Sequence, residues 1–503
     1  MAIIGAGLGG VATAVKLSRA GLHNFTVFER SPGAGGTWYD NTYPGCAVDV
    51  PSHAYSFSFK SYDWSGTHAK QPELRRYVDD VIDEFGLRDR CRFGVGVVSA
   101  VWDPAASSYT VTTTEGEVRE FDVVVSCTGM LNVPRYPEWP GLEDFDGPRF
   151  HTARWEHEHD LTGRRVAFVG TGSTSAQVVP SIADSVGELH VFQRQPGWVV
   201  PKKERVYTER ERDRYRRFPL LQKLQRYQFF RTYHRLYEAY DATSSTQAEM
   251  RALCENHIAS TIEDPAVREA VTPHYAYGCK RGVQANNFYQ AFNKPQVELH
   301  PHEVVAVEGN SIVTADGTRT EVDVLILGTG FQPTNYLSTV EVRGSDGRTL
   351  TETWAGEPKA FLGMTVPRFK NFFILFGPNT NGGSIIIQLE RQAEVVARTV
   401  GRLARRGRPA AVDTKPEALR RYVDWIDRRL AVHSSALESG CTNYYHVASG
   451  RNVTQWPGDQ YLYWAVTRFL PRLGLRLDTA SRPPVHRPAV EKSRRAPSPV
   501  PGR

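Results

Sequence analysis

Residues 165–177 read RVAFVGTGSTSAQ: an apolar strand, a glycine-rich turn and the start of a helix. The chain opens on the same pattern, MAIIGAGLGGVATAV over residues 1–15. In each, glycines permit a tight turn, let the backbone approach a pyrophosphate and let the helix pack closely on its strand. Two such fingerprints, beginning at Gly5 and Gly170, predict an α/β protein of two doubly wound, Rossmann-like dinucleotide-binding domains. A second repeat agrees. FDVVVSCTG (121–129) and VDVLILGTG (322–330) each hold an Asp, a buried-strand run and a Thr-Gly ending, and each is expected to close one domain. No third fingerprint follows Gly330, so the remaining chain is expected to return and complete the first domain, leaving the second inserted within it.

The first turn, Gly5-x-Gly7-x-x-Gly10, leads to the strand FTVFER and Glu29. A carboxylate there accepts hydrogen bonds from both ribose hydroxyls and repels a 2′-phosphate, so this site suits FAD or NAD and does not suit NADP. The second turn, Gly170-Thr-Gly172-Ser173-Thr174-Ser175, has serine where a third glycine usually sits, still small enough for close helix packing. Its next strand is LHVFQRQPGW, with Arg194 near the place that Glu29 holds in the first domain. A guanidinium matches phosphate as a permanently charged planar fork, which marks a site for the 2′-phosphate of NADPH. The alternative for Arg194 is a surface arginine in a loop. FAD first and NADPH second imply a flavoprotein reduced by a nicotinamide.

A chain of 503 residues can bury two or three cores. Hydrophobic residues at 40% and charged residues at 23% fit a soluble globular protein. The net charge of +6 is spread without a long basic block, which argues against nucleic acid as main partner. The six cysteines (Cys46, Cys91, Cys127, Cys254, Cys279, Cys441) form no C-x-x-C pair and are expected to be free thiols in a reducing cytosol. No apolar run is long enough to span a bilayer, and the glycine-rich start lacks the basic leader of a signal peptide, so a cytoplasmic location is expected. WEHEHD (155–160) suits an extended, solvated linker, and with no other His or Cys cluster to complete a coordination set no metal is expected. A basic and aromatic helical stretch opens an insertion over about 204–275 whose aromatic face is expected to pack inward, with nucleic-acid or membrane binding as alternatives. The domain reading is then 1–145 (FAD, first part), 146–325 (NADP, with the insertion), 326–479 (FAD, second part), and a disordered, proline-rich tail over 480–503.

FDGPRFHTARW fits F-x-G-x-x-x-H-x-x-x-W as Phe145, Gly147, His151 and Trp155. This resembles the fingerprint of the Baeyer–Villiger monooxygenases, flavin enzymes of the class B monooxygenase group, although Glu156 stands where the pattern has Pro or Asp. On the residues alone, His151 and Trp155 read more readily as linker packing. Residues 35–59, GGTWYDNTYPGCAVDVPSHAYSFSF, are similar to the family's flavin-contacting segment. The resemblance implies flavin contacts from Gly36, Thr37, Trp38 and Tyr55, and an active-site aspartate at Asp49. GCKRGVQANNFYQAFN (278–293) resembles the segment with the catalytic arginine, here Arg281, beside Lys280 on the NADPH phosphate. Ser173, Thr174 and Gln177 belong by the same resemblance to the NADP site, and Trp198 lies toward the nicotinamide. GPNTNGG (377–383) and GRNVTQWPG (450–458) look like later parts of the FAD domain.

The implied reaction inserts one oxygen atom of O2 next to a ketone carbonyl, giving an ester or lactone, with natural-product tailoring as one setting. Arg281 would stabilise the anionic oxygens, and Asp49 would orient it by a paired hydrogen bond. Two alternatives stay open: the same machinery oxidising nitrogen or sulfur, which a weaker grip by Arg281 favours, and an NADPH-flavin reductase.

Overall fold

The computed structural model describes residues 1–337, 339–406, 410–436 and 440–479. Both glycine-rich turns end a central parallel strand. Ala2–Ile4 lies between Thr26–Glu29 and Val124–Ser126, and Arg165–Val169 lies between Glu188–Phe192 and Val324–Leu327. The first sheet runs Phe372–Ile374, Val124–Ser126, Ala2–Ile4, Thr26–Glu29, Cys91–Phe93; the second runs Arg149–His151, Val324–Leu327, Arg165–Val169, Glu188–Phe192, Val297–His300. The two sheets therefore share one strand order and are parallel throughout, which requires helices on both faces and explains the near-continuous apolar runs.

The repeated Asp–strand–Thr-Gly segments hold matching places in the two sheets. Each lies second from the edge, beside the fingerprint strand, and a further strand covers it: Phe372–Ile374 in one sheet, Arg149–His151 in the other. A fully buried strand such as Val324–Leu327 needs hydrogen-bond partners on both sides. The first sheet takes its edge from beyond Gly330, and the helix Ile385–Ala404 from the same region packs on Leu8–Arg19. Smaller sheets flank this frame, one of them mixed, with Glu341–Arg343 joined in parallel to Val97–Asp103.

The insertion is helical, as Glu209–Arg217, Pro219–Tyr237, Ser245–Thr261 and Pro265–Val271. Thr208 and Glu211 form a capping box at its start. Its aromatic residues pack inward in part. Tyr207 and Tyr215 are buried in the main core against His53, and Leu221 and Phe229 pack on it, while Phe218, Leu220, Leu224 and Tyr227 are exposed. Buried Gln222 accepts from Tyr62 N–H, and Arg226 pairs at 2.8 Å with buried Glu390 of Ile385–Ala404. With basic and apolar residues mixed around the helix, polar contacts add to the apolar packing of Leu221 and Phe229.

The free-thiol expectation also needs correction. Cys279 and Cys441 form a disulfide, with Cα atoms 6.4 Å apart across a sequence separation of 162. Such a pairing depends on proximity in the fold, which spacing along the chain does not encode. Cys46, Cys91, Cys127 and Cys254 are free. No described helix is long and apolar enough to cross a membrane. The tail expected to be disordered lies outside the described residues.

The disulfide sets a thiol count. Denatured without reductant, the protein should titrate with Ellman's reagent as four thiols, and after reduction as six. Six before reduction, in protein purified without reductant, would contradict the pairing.

Candidate active site

The first cradle is built from backbone. Gly5 has φ +100°, a conformation open to glycine, and a Cβ on Gly10 would collide with the Gly5 carbonyl oxygen. Gly7 caps Leu8–Arg19 without a side-chain hydrogen bond, and no acidic residue stands in the first turn. The free N–H groups and positive helix end are thus left for an anion. Glu29, 6% exposed, accepts from Ala6 N–H at 2.7 Å and from Ser31 N–H at 2.9 Å, one per carboxylate oxygen. Those bonds fix its direction at the strand end, and each oxygen keeps a lone pair for a hydroxyl. Gly36 caps the short helix Thr37–Asp40, which starts against Gly7. Inside it Trp38 Nε1 donates to the Tyr55 hydroxyl at 3.2 Å, the two rings edge to face. A glycine cradle, an uncapped helix end and an oriented carboxylate fit the pyrophosphate and ribose of FAD.

The second cradle repeats the design with less bulk. Gly170 has φ +119°, and Gly172 faces open space. Ser173 and Thr174 lead into Ser175–Ile182, whose Thr174 cap makes no side-chain hydrogen bond. Ser175 is buried where a third glycine usually sits, its hydroxyl without a partner among the described residues. Arg194 is exposed just beyond Glu188–Phe192. Lys280 Nζ lies 5.2 Å from the centre of the Tyr275 ring, and burial together with the Arg194 charge holds its pKa down at about 8. Two neighbouring cations, exposed Arg194 and half-buried Lys280, favour a doubly charged phosphate between them.

One side chain joins the cradles. Gln177, on Ser175–Ile182, accepts from the Tyr43 hydroxyl and from Ala47 N–H, both at 3.2 Å. It donates to Ala47 C=O at 3.0 Å and to Asp49 Oδ1 at 3.4 Å. A Cβ on Gly45 would collide with Ser181 and the Gln177 carbonyl, so the 43–49 loop lies directly on this helix. Asp49 is largely buried, its side chain 14% exposed, and Arg281 Nη2 stands 4.0 Å from its Oδ2. That is an ion pair outside hydrogen-bond reach, which corrects the expected paired hydrogen bond. Gln177 takes the carboxylate's near oxygen instead. Burial raises the Asp49 pKa, opposed by Arg281, Lys202 and the Gln177 hydrogen bond in that order.

Three further residues bear on this point. Lys202, buried and paired with Glu204 at 3.0 Å, acts electrostatically on Asp49. Burial raises the pKa values of Tyr444 and Tyr445, and the Arg281 charge opposes it in both. Their loop is tied to the Arg281 segment by Cys279–Cys441 and to Gln195 by bonds from Thr442 N–H and to Gly440 C=O. Buried Trp198 donates to Tyr275 C=O and packs among Cys254, Tyr275 and Cys279.

Phe145 is a core residue, and Gly147 passes close beneath the Asp323 carbonyl. Buried His151 accepts at Nδ1 from Ala153 N–H, so Nε2 carries the proton and donates to Gly330 C=O at 3.0 Å. Burial pushes its pKa down to about 4. Arg135 N–H donates to the same carbonyl, and Pro134 bridges to Phe331, so the two chain crossings between the domains run paired. Trp155 packs edge to face on Phe150. The motif is thus built into the interdomain linkers and stands apart from Arg281.

The WEHEHD segment is not extended. It turns at 157–159, with Glu156 bonded to His159 and His157 to Thr42. A second His/Glu group, His190, Glu298 and His300, is assembled by adjacent strands, a coordination set that the sequence reading did not contain.

Residues 3–80 match the NAD(P)-binding Rossmann-like domain family. A Baeyer–Villiger monooxygenase of Streptomyces coelicolor is 40% identical over 461 residues, covering 91% of this chain and 88% of the relative. One of Pseudomonas aeruginosa is 37% identical, covering 93% and 89%. Among solved structures, cyclohexanone monooxygenase from Rhodococcus sp. Phi1 bound to NADP+ superposes with TM-score 0.86 at 28% identity, over 95% of this chain and 99% of that one. Oxidized steroid monooxygenase bound to NADP gives 0.84 at 29%. With its two dinucleotide cradles and a likeness that runs through nearly the whole chain, the protein belongs to the Baeyer–Villiger monooxygenase family.

Proposed function

We propose that this chain is an FAD- and NADPH-dependent Baeyer–Villiger monooxygenase that inserts one atom of O2 beside a ketone carbonyl to give an ester or lactone. The observation that carries this reading is the seam, where largely buried Asp49 faces Arg281 between the two cradles and Gln177 fastens the helix of one to the loop of the other. Gly5, Gly7, Gly10 and Glu29 hold the FAD pyrophosphate and ribose, with Gly36, Thr37, Trp38 and Tyr55 nearer the flavin. Gly170, Gly172, Ser173, Thr174 and Gln177 hold NADPH, and Arg194 with Lys280 takes its 2′-phosphate. FAD, when bound, supplies the activation of O2 by electrons from NADPH.

Arg281 is the catalytic cation. It cannot lose its proton at working pH, so it holds negative charge on the attacking oxygen and on the former carbonyl oxygen as the ketone is attacked. Asp49 positions it. At 4.0 Å, outside hydrogen-bond reach, the carboxylate draws the guanidinium inward by charge alone. The disulfide holds the Tyr444–Tyr445 loop near Arg281. A cytoplasmic place of action fits a reductant supplied as NADPH. The second reading, oxidation of sulfur or nitrogen, needs a protonated and therefore electrophilic oxidant, and so a weaker hold on it by Arg281.

Two outcomes follow. Arg194→Ala and Lys280→Ala should each raise KM for NADPH by about 10- to 100-fold, with kcat little changed and NADH less affected, since each removes a charge-assisted bond worth roughly 1.5–3 kcal/mol. Equal effects on both nucleotides would place these residues elsewhere. Under ¹⁸O2 with NADPH, a panel of cyclic and linear ketones and thioethers should yield an ester or lactone with one heavy oxygen in the inserted position. Heavy sulfoxide with no ester from any ketone would select the second reading.

A further inference from the structure

At the outer edge of the second sheet, Glu188–Phe192 pairs in parallel with Val297–His300, His190 standing opposite Glu298 and Phe192 opposite His300. Residues opposite one another or two apart share a face, so Glu188, His190, Glu298 and His300 point the same way. His190 Nδ1 lies 3.1 Å from His300 Nε2, Glu298 Oε2 lies 3.3 Å from His190 Nδ1, and Glu298 Oε2 lies 3.6 Å from His300 Nε2. On its other side His190 Nε2 lies 3.2 Å from Glu188 Oε2. Phe192 stacks on the His300 ring with centroids 4.6 Å apart. Both imidazoles are nearly buried, while Glu298 is largely exposed.

Proton accounting shows what these atoms lack. The Glu188 carboxylate only accepts, so His190 carries its proton on Nε2 and turns the Nδ1 lone pair toward His300 and Glu298. One proton on His300 Nε2 can serve His190 or Glu298, and whichever it serves, two lone-pair atoms still face each other. A cation at the centre serves all three at once. The separations allow it: a point about 2.0–2.1 Å from all three atoms exists about 0.7 Å off their plane, which is where a tetrahedral ion sits above three of its ligands. Glu188 holding the far nitrogen of His190 is the carboxylate–histidine arrangement that fixes tautomer and ring direction at metal centres.

We propose that His190 Nδ1, His300 Nε2 and Glu298 Oε2 form a three-ligand site for one divalent first-row transition ion, zinc by preference, with water completing the tetrahedron on the exposed side of Glu298. Two nitrogens and one carboxylate oxygen suit zinc, and copper would bind more tightly where available. The role is structural. The ion clamps an edge strand to its neighbour just before Arg194, where Gln193 N–H already donates to His300 C=O at 2.8 Å. It needs neither FAD nor turnover, so the proposal stands apart from the activity.

The test is zinc binding to untagged, chelator-treated holoenzyme, measured by competition with a chromophoric chelator. One tight equivalent is expected. It should vanish in His190→Gln/His300→Gln and weaken by about 10- to 100-fold in Glu188→Gln, where only the supporting carboxylate changes. Flavin content and metal-free melting temperature serve as folding controls. Glu298→Gln, altered on the exposed edge, tests a ligand without disturbing the core and should also lose the tight equivalent. Cobalt in place of zinc should give four-coordinate ligand-field bands to the red of the flavin, absent in the double variant. No stoichiometric binding would overturn the proposal. So would an equivalent that survives in the double variant and disappears with His159→Gln, which would place the ion at the Glu156–His159 turn.

Discussion

The site depends on one carboxamide. Gln177 uses both lone pairs of its oxygen and both hydrogens of its nitrogen, on Tyr43, on both backbone groups of Ala47 and on Asp49. All four bonds cross from the helix of the second fingerprint to the loop that follows the first cradle. A fully paired, half-buried amide has one orientation, and any slip between the domains would leave several of its polar partners unpaired. Gly45 makes the approach possible, because any side chain there would push the loop off the helix. The distance between the cradles, and so between two cofactors, is therefore set by polar pairing more than by apolar contact.

Asp49 inherits this constraint. Its burial works against ionisation, and Arg281, Lys202 and Gln177 work for it. Such a balance makes the charge on Asp49 depend on where Arg281 stands, and Arg281 sits on a segment joined by Cys279–Cys441 to the loop with Tyr444 and Tyr445. The linkers behave differently. His151 is neutral and bonded at both nitrogens, pinning the outgoing crossing to the returning one at Gly330. One end of the interdomain seam is fixed by backbone pairing, and the other carries the chemistry.

The two cradles were legible because their signal is local: strand, glycine spacing and the residue ending the next strand lie within some 30 positions. Glu29 and Arg194 could be assigned opposite roles on that basis. Asp49 and Arg281, 232 positions apart in the chain, came only through resemblance, since neither carries a local signature. Lys202 gave no signal at all; its importance arises from the fold placing a buried ammonium near a largely buried carboxylate. The disulfide was misjudged, and the His190–Glu298–His300 group not seen, for the same reason, as both join segments more than 100 residues apart. The repeated strands were found, but not the strand that covers each. Periodicity shows that a strand is buried, but which neighbour covers it is decided by topology.

The central claim is that Arg281 directs activated oxygen onto a ketone. It is tested most directly by the Arg281→Ala holoenzyme, supplied with NADPH, O2 and a ketone that the parent enzyme converts. Ester and hydrogen peroxide are measured per NADPH consumed. The account predicts that the variant keeps its FAD and still consumes NADPH, while product falls by at least about 100-fold and peroxide takes its place. Ester formation at the parent yield would contradict it and remove Arg281 from the chemistry.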